Sequence, residues 1–157
     1  MILLKEISYI DNFDESYKNS FSFSHKIKIR FSETDMFGHM NNSAPFTYFE
    51  EGRIEFFKNI GLMENWMSLN QENIPVVADL QCDFMKQAYF DNTITLFVKV
   101  NHIGHSSIDL HYLGVNQEEE CLFVGRGTIV QISTQTGKGV LWSDEEKGLL
   151  ESFSKNR

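Results

Sequence analysis

The chain has 157 residues, of which 41% are hydrophobic and 23% are charged. This is the size and composition of an ordinary globular domain, so we predict one domain over residues 1–157 with its core at about residues 25–140. The formal charge of −8 argues against nucleic acid or an anionic membrane surface as the main partner, because both attract basic protein surfaces.

The first predicted element is a strand over residues 21–31, which follows an N-terminal extension over residues 1–20. Apolar side chains fall on every second position here, which is the period of a strand with one buried face. The pattern is broken only by His25 and consists of Phe21, Phe23, Ile27, Ile29 and Phe31.

A helix is predicted over residues 44–59, where the apolar spacing changes to that of a helix with one buried face. Pro45 fits the first helical turn, because its missing N–H would have no partner there in any case. Gly61 lies where a helix commonly ends. A further short helix is predicted over residues 62–70.

Four more strands are predicted from alternating apolar positions, at residues 74–84, 94–100, 108–112 and 122–132. The acidic segment 117–120 is expected to join the last two as a hairpin. Ser143 and Glu146 have the spacing of a capping box, which predicts a terminal helix over residues 143–153. A long helix combined with runs of antiparallel strands makes an α+β domain.

Cysteine content and hydropathy exclude several other classes. Cys82 and Cys121 lie far apart and match no zinc or disulfide pattern, so we expect reduced thiols in a cytoplasmic protein. The N-terminal segment turns acidic before a long apolar run develops, and no later stretch approaches the ~20 apolar residues that span a bilayer. No carboxylate or cysteine pattern supports His102 and His105 as metal ligands, so we predict no metal site.

Residues 32–42, S-E-T-D-M-F-G-H-M-N-N, concentrate polar and titratable groups between the first strand and the long helix. Such junctions often carry functional sites. Two interpretations are open. In one, Asp35, Asn41 and Asn42 cap turns and the helix start, as these residue types commonly do. In the other, the segment is a catalytic site.

The run E-T-D-M-F-G-H-M-N-N, followed by Y-F-E-E-G-R, resembles the signature of hotdog-fold thioesterases of the 4-hydroxybenzoyl-CoA thioesterase type. The similarity extends over about residues 25–140, through D-N-T-I-T-L-F-V-K-V, I-G-H-S-S-I and V-G-R-G-T-I-V-Q-I in the same order. It implies a hotdog fold, in which a curved antiparallel β-sheet wraps around a central α-helix. Gly52 would then permit close approach of the helix backbone to the sheet, although glycine costs about 1 kcal/mol of helix stability relative to alanine. The side chains expected to face the sheet are Phe46, Phe49, Phe56 and Ile60.

The resemblance also implies catalytic roles for three residues. Asp35 falls on the family's catalytic aspartate, which acts as a nucleophile on the thioester carbonyl or as a base for water. Asn42 falls where the family supplies a backbone N–H to the thioester oxygen, at the positive end of the helix dipole. His39 is expected either to orient water, contact the substrate or protonate the thiolate, or to close the turn by hydrogen bonding.

Further residues are expected to contact the substrate: Phe37, Gly38, Asn41, Ser43 and Arg126. Arg126 is one of four candidates for the phosphates of CoA, with Arg30, Lys86 and Lys99. Related hotdog enzymes place their carboxylate on the central helix, but we expect Glu50 and Glu51 to be solvated or to face a dimer partner. Many relatives have an aromatic residue where this chain has Pro45, which leaves the acyl specificity open.

We therefore expect a thioester hydrolase that cleaves an acyl-CoA, or an acyl carrier protein thioester, to a free acid and a thiol. It would need no cofactor beyond the CoA of its substrate. The resemblance implies a homodimer or homotetramer with the active site at the subunit interface. Two alternatives are a hydratase or dehydratase with His39 as its base, and a non-catalytic acyl-CoA binding module.

Overall fold

The computed structural model describes residues 6–68 and 70–154. Its five strands are β1 (Phe23–Lys28), β2 (Asn73–Phe84), β3 (Thr93–Ile103), β4 (Ser107–Val115) and β5 (Cys121–Ser133). They form one antiparallel sheet in the order β1-β3-β4-β5-β2. The four strands predicted in the second half of the chain are confirmed, and so is the α+β hotdog fold.

The first strand is shorter than the predicted 21–31. The Ile29 N–H still donates to Asn92 O at 3.0 Å, but residues Phe31–Glu33 then form a single 3-10 turn. Phe31 is 77% exposed, so the alternating pattern continues in the sequence beyond the point where the strand ends. The early end of β1 releases the chain into the loop that leads to the long helix.

The long helix, α2 (Ala44–Ile60), is confirmed to within one residue of its predicted end. Phe49, Phe56 and Ile60 are buried as predicted. Phe46 differs, because it is 36% exposed and meets the Phe49 ring edge-on at 6.0 Å between centroids. It therefore lies at the margin of the buried stripe. The helix ends at Gly61, whose φ of +86° suits glycine and whose N–H donates to Lys58 O.

Gly52 brings the backbone of α2 directly onto β3. A methyl group at this position would lie 2.4 Å from Leu96 Cδ2 and 3.3 Å from Val98 Cγ2, and both of those side chains are fully buried. Close approach at Gly52 is therefore confirmed. Because the helix is seated on the sheet in this way, the position of its first turn relative to the sheet is fixed.

Three short helices complete the fold: α1 (Glu15–Asn19), α3 (Leu62–Trp66) and α4 (Asp144–Glu151). The capping box of Ser143 and Glu146 is confirmed, and α3 is shorter than predicted. None of the helices in the described ranges is both long and apolar enough to span a bilayer.

The helix α1 was not predicted, and it belongs to a segment that packs on the face of the sheet opposite α2. Six buried residues form this outer cluster: Ile7, Ile10, Phe21, Leu113, Val115 and Val124. The first part of the N-terminal extension, residues 1–5, lies outside the described residues. The described part covers apolar positions on β4 and β5 that would otherwise face solvent.

Candidate active site

The polar segment before α2 is a compact loop over residues 34–40. Thr34 and Met40 pair as an isolated antiparallel bridge, and the Asp35 N–H donates to His39 O at 2.8 Å. The Gly38 N–H donates back to Asp35 O, and its φ of +79° is favourable for glycine. Backbone hydrogen bonds therefore define the shape of the loop, and the buried Met40 side chain anchors its end in the hydrophobic core.

The Asp35 carboxylate is oriented by two amides of the same loop. Its Oδ1 accepts hydrogen bonds from the Phe37 N–H at 2.9 Å and the His39 N–H at 3.1 Å. Within residues 6–68 and 70–154, Oδ2 has no hydrogen bond or ion pair. Asp35 is exposed. One oxygen therefore closes the turn while the other is available to a substrate or a water molecule.

Asn41 caps the start of α2. Its side-chain oxygen accepts from the Ser43 N–H at 3.0 Å, the Ser43 hydroxyl at 2.7 Å and the Ala44 N–H at 2.9 Å. Its own N–H donates to Glu33 O at 2.8 Å. The first interpretation of the segment therefore holds for Asn41, which is a capping residue in this structure. Its contact with substrate, like that of Ser43, stays a prediction.

Asn42 presents an amide without a partner at the same helix start. Ser43 and Ala44 donate to Asn41, Pro45 has no N–H, and the Phe46 N–H donates to Ser43 O at 3.2 Å. The Asn42 N–H makes no hydrogen bond within the described part of the chain. It lies beside the positive end of the α2 dipole, where a developing oxyanion would be stabilised.

His39 and the loop tip differ in their surroundings. The His39 ring meets the Tyr89 ring edge-on at 5.1 Å between centroids, and the Met40 N–H donates to Ala88 O at 2.7 Å. These contacts fasten the loop to the segment before β3. Phe37, by contrast, is 75% exposed and Gly38 is also exposed. Both are placed where a ligand could reach them.

Glu33 and Tyr48 support this loop and were not singled out from the sequence. The Tyr48 hydroxyl donates to Glu33 Oε1 at 3.2 Å, and the same oxygen accepts from the Arg30 N–H at 2.8 Å. Burial raises the pKa of Tyr48 above its ordinary value, and the Glu33 carboxylate adds to the increase. Glu33 and Tyr48 thereby tie α2 to the start of the loop. Their only signal was their position inside the quoted motif.

Arg126 lies on the other face of the sheet. A methyl at the preceding Gly125 would lie 2.4 Å from the Phe49 ring of α2, so alternation along the strand directs Arg126 away from the helix. Its Nη2 lies 2.6 Å from Asp109 Oδ1, and its Nη1 lies 3.2 Å from Asp79 Oδ1. The structure does not gather Arg126 with Asp35, and its contact with a CoA phosphate stays a prediction.

The other predicted charges are spread over several environments. Lys86 is paired with Glu120, Lys99 is 3% exposed, and Arg30 is exposed next to the loop. On α2, the Glu51 carboxylate lies 3.1 Å from His25 Nε2, whereas the Glu50 side chain is 63% exposed. Among the four phosphate candidates, Arg30 is the one adjacent to the loop along the chain.

The loop and the helix start each present one group without a partner in the described part of the chain: a carboxylate oxygen of Asp35 and the N–H of Asn42. The carboxylate can attack a carbonyl carbon, or activate a water molecule that does so. The amide N–H can stabilise the oxyanion that forms. Within the described residues, no group of three or more His, Cys, Asp or Glu side chains is arranged to hold a metal ion.

Comparison with known proteins identifies a family. The model of the thioesterase-like superfamily matches residues 29–151. The chain is 48% identical over 147 residues to the uncharacterized protein YsmA of Bacillus subtilis (strain 168), and the alignment covers 94% of this chain and 97% of YsmA.

Solved structures share the fold. A predicted thioesterase from Bacillus stearothermophilus aligns with a TM-score of 0.74 and 26% identity, covering 84% of this chain and 96% of its own. The hypothetical protein SAV2348 from Staphylococcus aureus, solved in complex with CoA, aligns with a TM-score of 0.77 and 11% identity, covering 86% and 85%. The family match over most of its length shows that this chain belongs to the thioesterase-like superfamily.

Proposed function

We propose that this protein hydrolyses acyl-CoA thioesters, in the manner of the 4-hydroxybenzoyl-CoA thioesterase type. Membership of the thioesterase-like superfamily supports thioester hydrolysis in general. The observation that carries the finer proposal lies at the loop–helix junction, where Asp35 Oδ2 and the Asn42 N–H have no partner among residues 6–68 and 70–154.

In this proposal the Asp35 carboxylate either attacks the thioester carbonyl or takes a proton from the attacking water. The carbonyl oxygen becomes an oxyanion and accepts a hydrogen bond from the Asn42 N–H, next to the positive end of α2. Collapse of the tetrahedral intermediate breaks the carbon–sulfur bond and expels the CoA thiolate. Where Asp35 is the nucleophile, this leaves an acyl anhydride on its carboxylate, which a water molecule then hydrolyses to the free acid. His39 is the nearest titratable side chain along the loop, and we assign to it the return of a proton to that thiolate.

A second copy of the chain is part of the proposal. Large apolar side chains are exposed around the Asp35 loop: Phe31, Met36, Phe37, Tyr89 and Phe90. Exposed apolar groups clustered in this way are typical of a surface that a partner covers. A homodimer, or a homotetramer of such dimers, would cover them and enclose the site. The CoA in the SAV2348 complex supports CoA as the thiol carrier.

The test is release of free thiol from acyl-CoAs of different chain length, for wild type and Asp35→Asn. Asparagine keeps an oxygen that can accept the two loop amides, so the loop should keep its shape while the charge is lost. We expect kcat to fall by roughly 10²- to 10⁴-fold, the usual contribution of a general base.

Asp144→Asn, on the exposed first turn of α4, is the matched control and should retain wild-type turnover. Wild-type turnover in Asp35→Asn would overturn the proposal. So would a change in enoyl absorbance without release of thiol, which is the outcome expected of a hydratase.

A further inference from the structure

A cavity of about 190 Å³ lies between α2 and the edge strand β2. Seven of its lining residues are apolar: Ile54, Phe57, Met63, Pro75, Val76, Val77 and Ile129. The remaining two, Glu50 and Arg53, are charged and come from α2. An apolar cavity with a small number of polar groups is the usual form of a small-molecule site.

Arg53 is the unusual member of this lining. Its side chain is 11% exposed, and its Nη1 is buried without a hydrogen-bond partner in the described residues. Its Nη2 lies 3.8 Å from Glu50 Oε2, which is too long for a hydrogen bond. A buried donor without a partner is costly, and an acceptor on a ligand would remove that cost.

The Tyr112 hydroxyl lies in the same part of the core. It is also buried without a hydrogen bond of standard geometry in the described residues. Burial raises the pKa of Tyr112 to about 12, although the charge of the neighbouring Arg53 guanidinium and a hydrogen-bonding contact with it act to lower the value. The Arg53 guanidinium and the Tyr112 hydroxyl therefore meet beneath the second and third turns of α2, and the guanidinium has more N–H donors than this contact uses.

Resting on the proposed function, we propose that this cavity holds the acyl group and that Arg53 Nη1 donates to an uncharged oxygen near its far end. The substrate class is then a short acyl thioester with a distal oxo or hydroxy group. A cavity of about 190 Å³ suits a short acyl chain better than a long one.

The position of Arg53 on α2 agrees with this length. Arg53 lies ten residues past Ser43, the residue before the first turn, which is about 15 Å along the helix axis. Helical side chains lean back toward the N-terminus, so the guanidinium covers part of that distance. A short acyl chain spans what remains.

Glu50 determines the charge that the cavity accepts. Its carboxylate lines the same cavity and lies within 4 Å of the Arg53 guanidinium. A second carboxylate, on the substrate, would be repelled by Glu50 and would share one cation with it. An oxo or hydroxy oxygen satisfies Nη1 without that repulsion.

Three acyl-CoAs of nearly equal shape test the inference: hexanoyl-CoA, 5-oxohexanoyl-CoA and glutaryl-CoA. We expect wild type to prefer the 5-oxo compound in kcat/KM. Arg53→Met should lower the ratio of 5-oxohexanoyl to hexanoyl turnover by roughly 10- to 100-fold, the value of a hydrogen bond to a charged donor. Glu50→Gln should raise the relative turnover of glutaryl-CoA.

Lys58→Met is the control, because Lys58 is an exposed cation of the same helix that pairs with Glu55 at 3.0 Å. It should leave the substrate ratio unchanged. If Arg53→Met fails to fold, as judged by circular dichroism, Val77→Trp fills the cavity from β2. That variant should depress turnover of both six-carbon substrates relative to acetyl-CoA.

The two proposals fail in different ways. If Arg53→Met still releases thiol with an unchanged ratio of 5-oxohexanoyl to hexanoyl turnover, the role of Arg53 is overturned. The proposed hydrolase function then still stands. Absence of thiol release from every acyl-CoA overturns the proposed function. In that case the acyl-CoAs are stable, and calorimetric binding of the same three compounds to wild type and Arg53→Met tests the cavity directly.

Discussion

At the scale of single residues, the polar side chains before α2 accept hydrogen bonds from backbone amides and also belong to the proposed catalytic site. Asp35 uses one carboxylate oxygen to close its own turn and leaves the other unpaired. Asn41 accepts from the amides of Ser43 and Ala44, whereas the adjacent Asn42 amide has no partner among the residues that the structure describes. The two interpretations of this segment are therefore compatible, since capping some groups leaves others available.

Asn41→Ala should weaken the start of α2. The change removes the side-chain acceptor of the Ser43 and Ala44 amides, although the Ala44 N–H keeps Asn41 O at 3.2 Å, and loss of a helix cap typically costs about 0.5–2 kcal/mol. Urea unfolding measures this cost. Asn59→Ala, near the other end of the same helix, is the control, because the Asn59 side chain has no hydrogen bond within the described residues. Equal stability of the two variants would contradict the capping role.

At the scale of elements, the sequence predicted every strand and the two helices with clear signals. Alternation located β2 to β5, and Pro45 and Gly61 marked α2. The helix α1 was missed because it has only five residues, and its one marker, the Asp14 cap, is also common in turns. The exposed position of Phe46 was missed because spacing along a helix does not show how wide the covered face is.

The candidate site, like the fold, was predicted only in part from the sequence. The motif predicted the residues of the loop, but the sequence could not show which amides would be left without partners. That depends on Asn41, whose side chain folds back on the helix start. Arg126 was grouped with the site because a cation is a reasonable phosphate contact. Strand alternation instead directs it to the opposite face, where two carboxylates hold it.

Gly52→Ala should destabilise the contact between α2 and β3. The added methyl would lie 2.4 Å from Leu96 Cδ2, and overpacking of this kind costs about 1–3 kcal/mol, against a gain of about 1 kcal/mol in helix propensity. Chemical denaturation of Gly52→Ala, alone and with Leu96→Val, should show that the smaller partner relieves part of the loss.

The control for that pair is Gly148→Ala on α4. Nothing lies within 4 Å of a methyl group there, so the substitution should stabilise the protein by about 0.5–1 kcal/mol. Stabilisation of similar size from Gly52→Ala would show that α2 can move away from the sheet.

At the scale of the whole molecule, the two faces of the sheet differ in character. The face under α2 is an apolar core with the Arg53 cavity at its edge. The outer face carries a polar network centred on Asp109, which contacts Arg126, Asn101 and His111. Tyr17 from α1 approaches His111 Nδ1 at 2.8 Å, which joins the N-terminal segment to this network.

This network should make the protein sensitive to acid. Burial acts to raise the pKa of Asp109, but the contact with His111, whose Nε2 lies 3.2 Å from Asp109 Oδ2, and the hydrogen bonds from Arg126 outweigh it and hold the pKa below its ordinary value. Burial lowers the pKa of His111. Both groups bind protons more readily in the unfolded chain, so the free energy of unfolding should fall as the pH drops, first below about 6.5 and again below about 4.

Asp109→Asn tests the assignment. The variant should be less stable at pH 7 by about 1–3 kcal/mol, because Arg126 loses a charged partner. Between pH 6.5 and pH 5, its free energy of unfolding should also decline more steeply than that of wild type, because Asp109 no longer raises the pKa of His111. Urea unfolding across this range measures the free energy of unfolding of both proteins. If the two free energies change in parallel with pH, other residues cause the acid sensitivity.

The loop tip has a consequence for divergence and engineering. Met36 and Phe37 are 90% and 75% exposed, while the backbone hydrogen bonds of Asp35 and Gly38 close the loop beneath them. New side chains at positions 36 and 37 can therefore be selected without displacing the carboxylate. A library limited to these two codons should yield variants with altered substrate range or altered association with the proposed second copy, while the loop backbone keeps its shape.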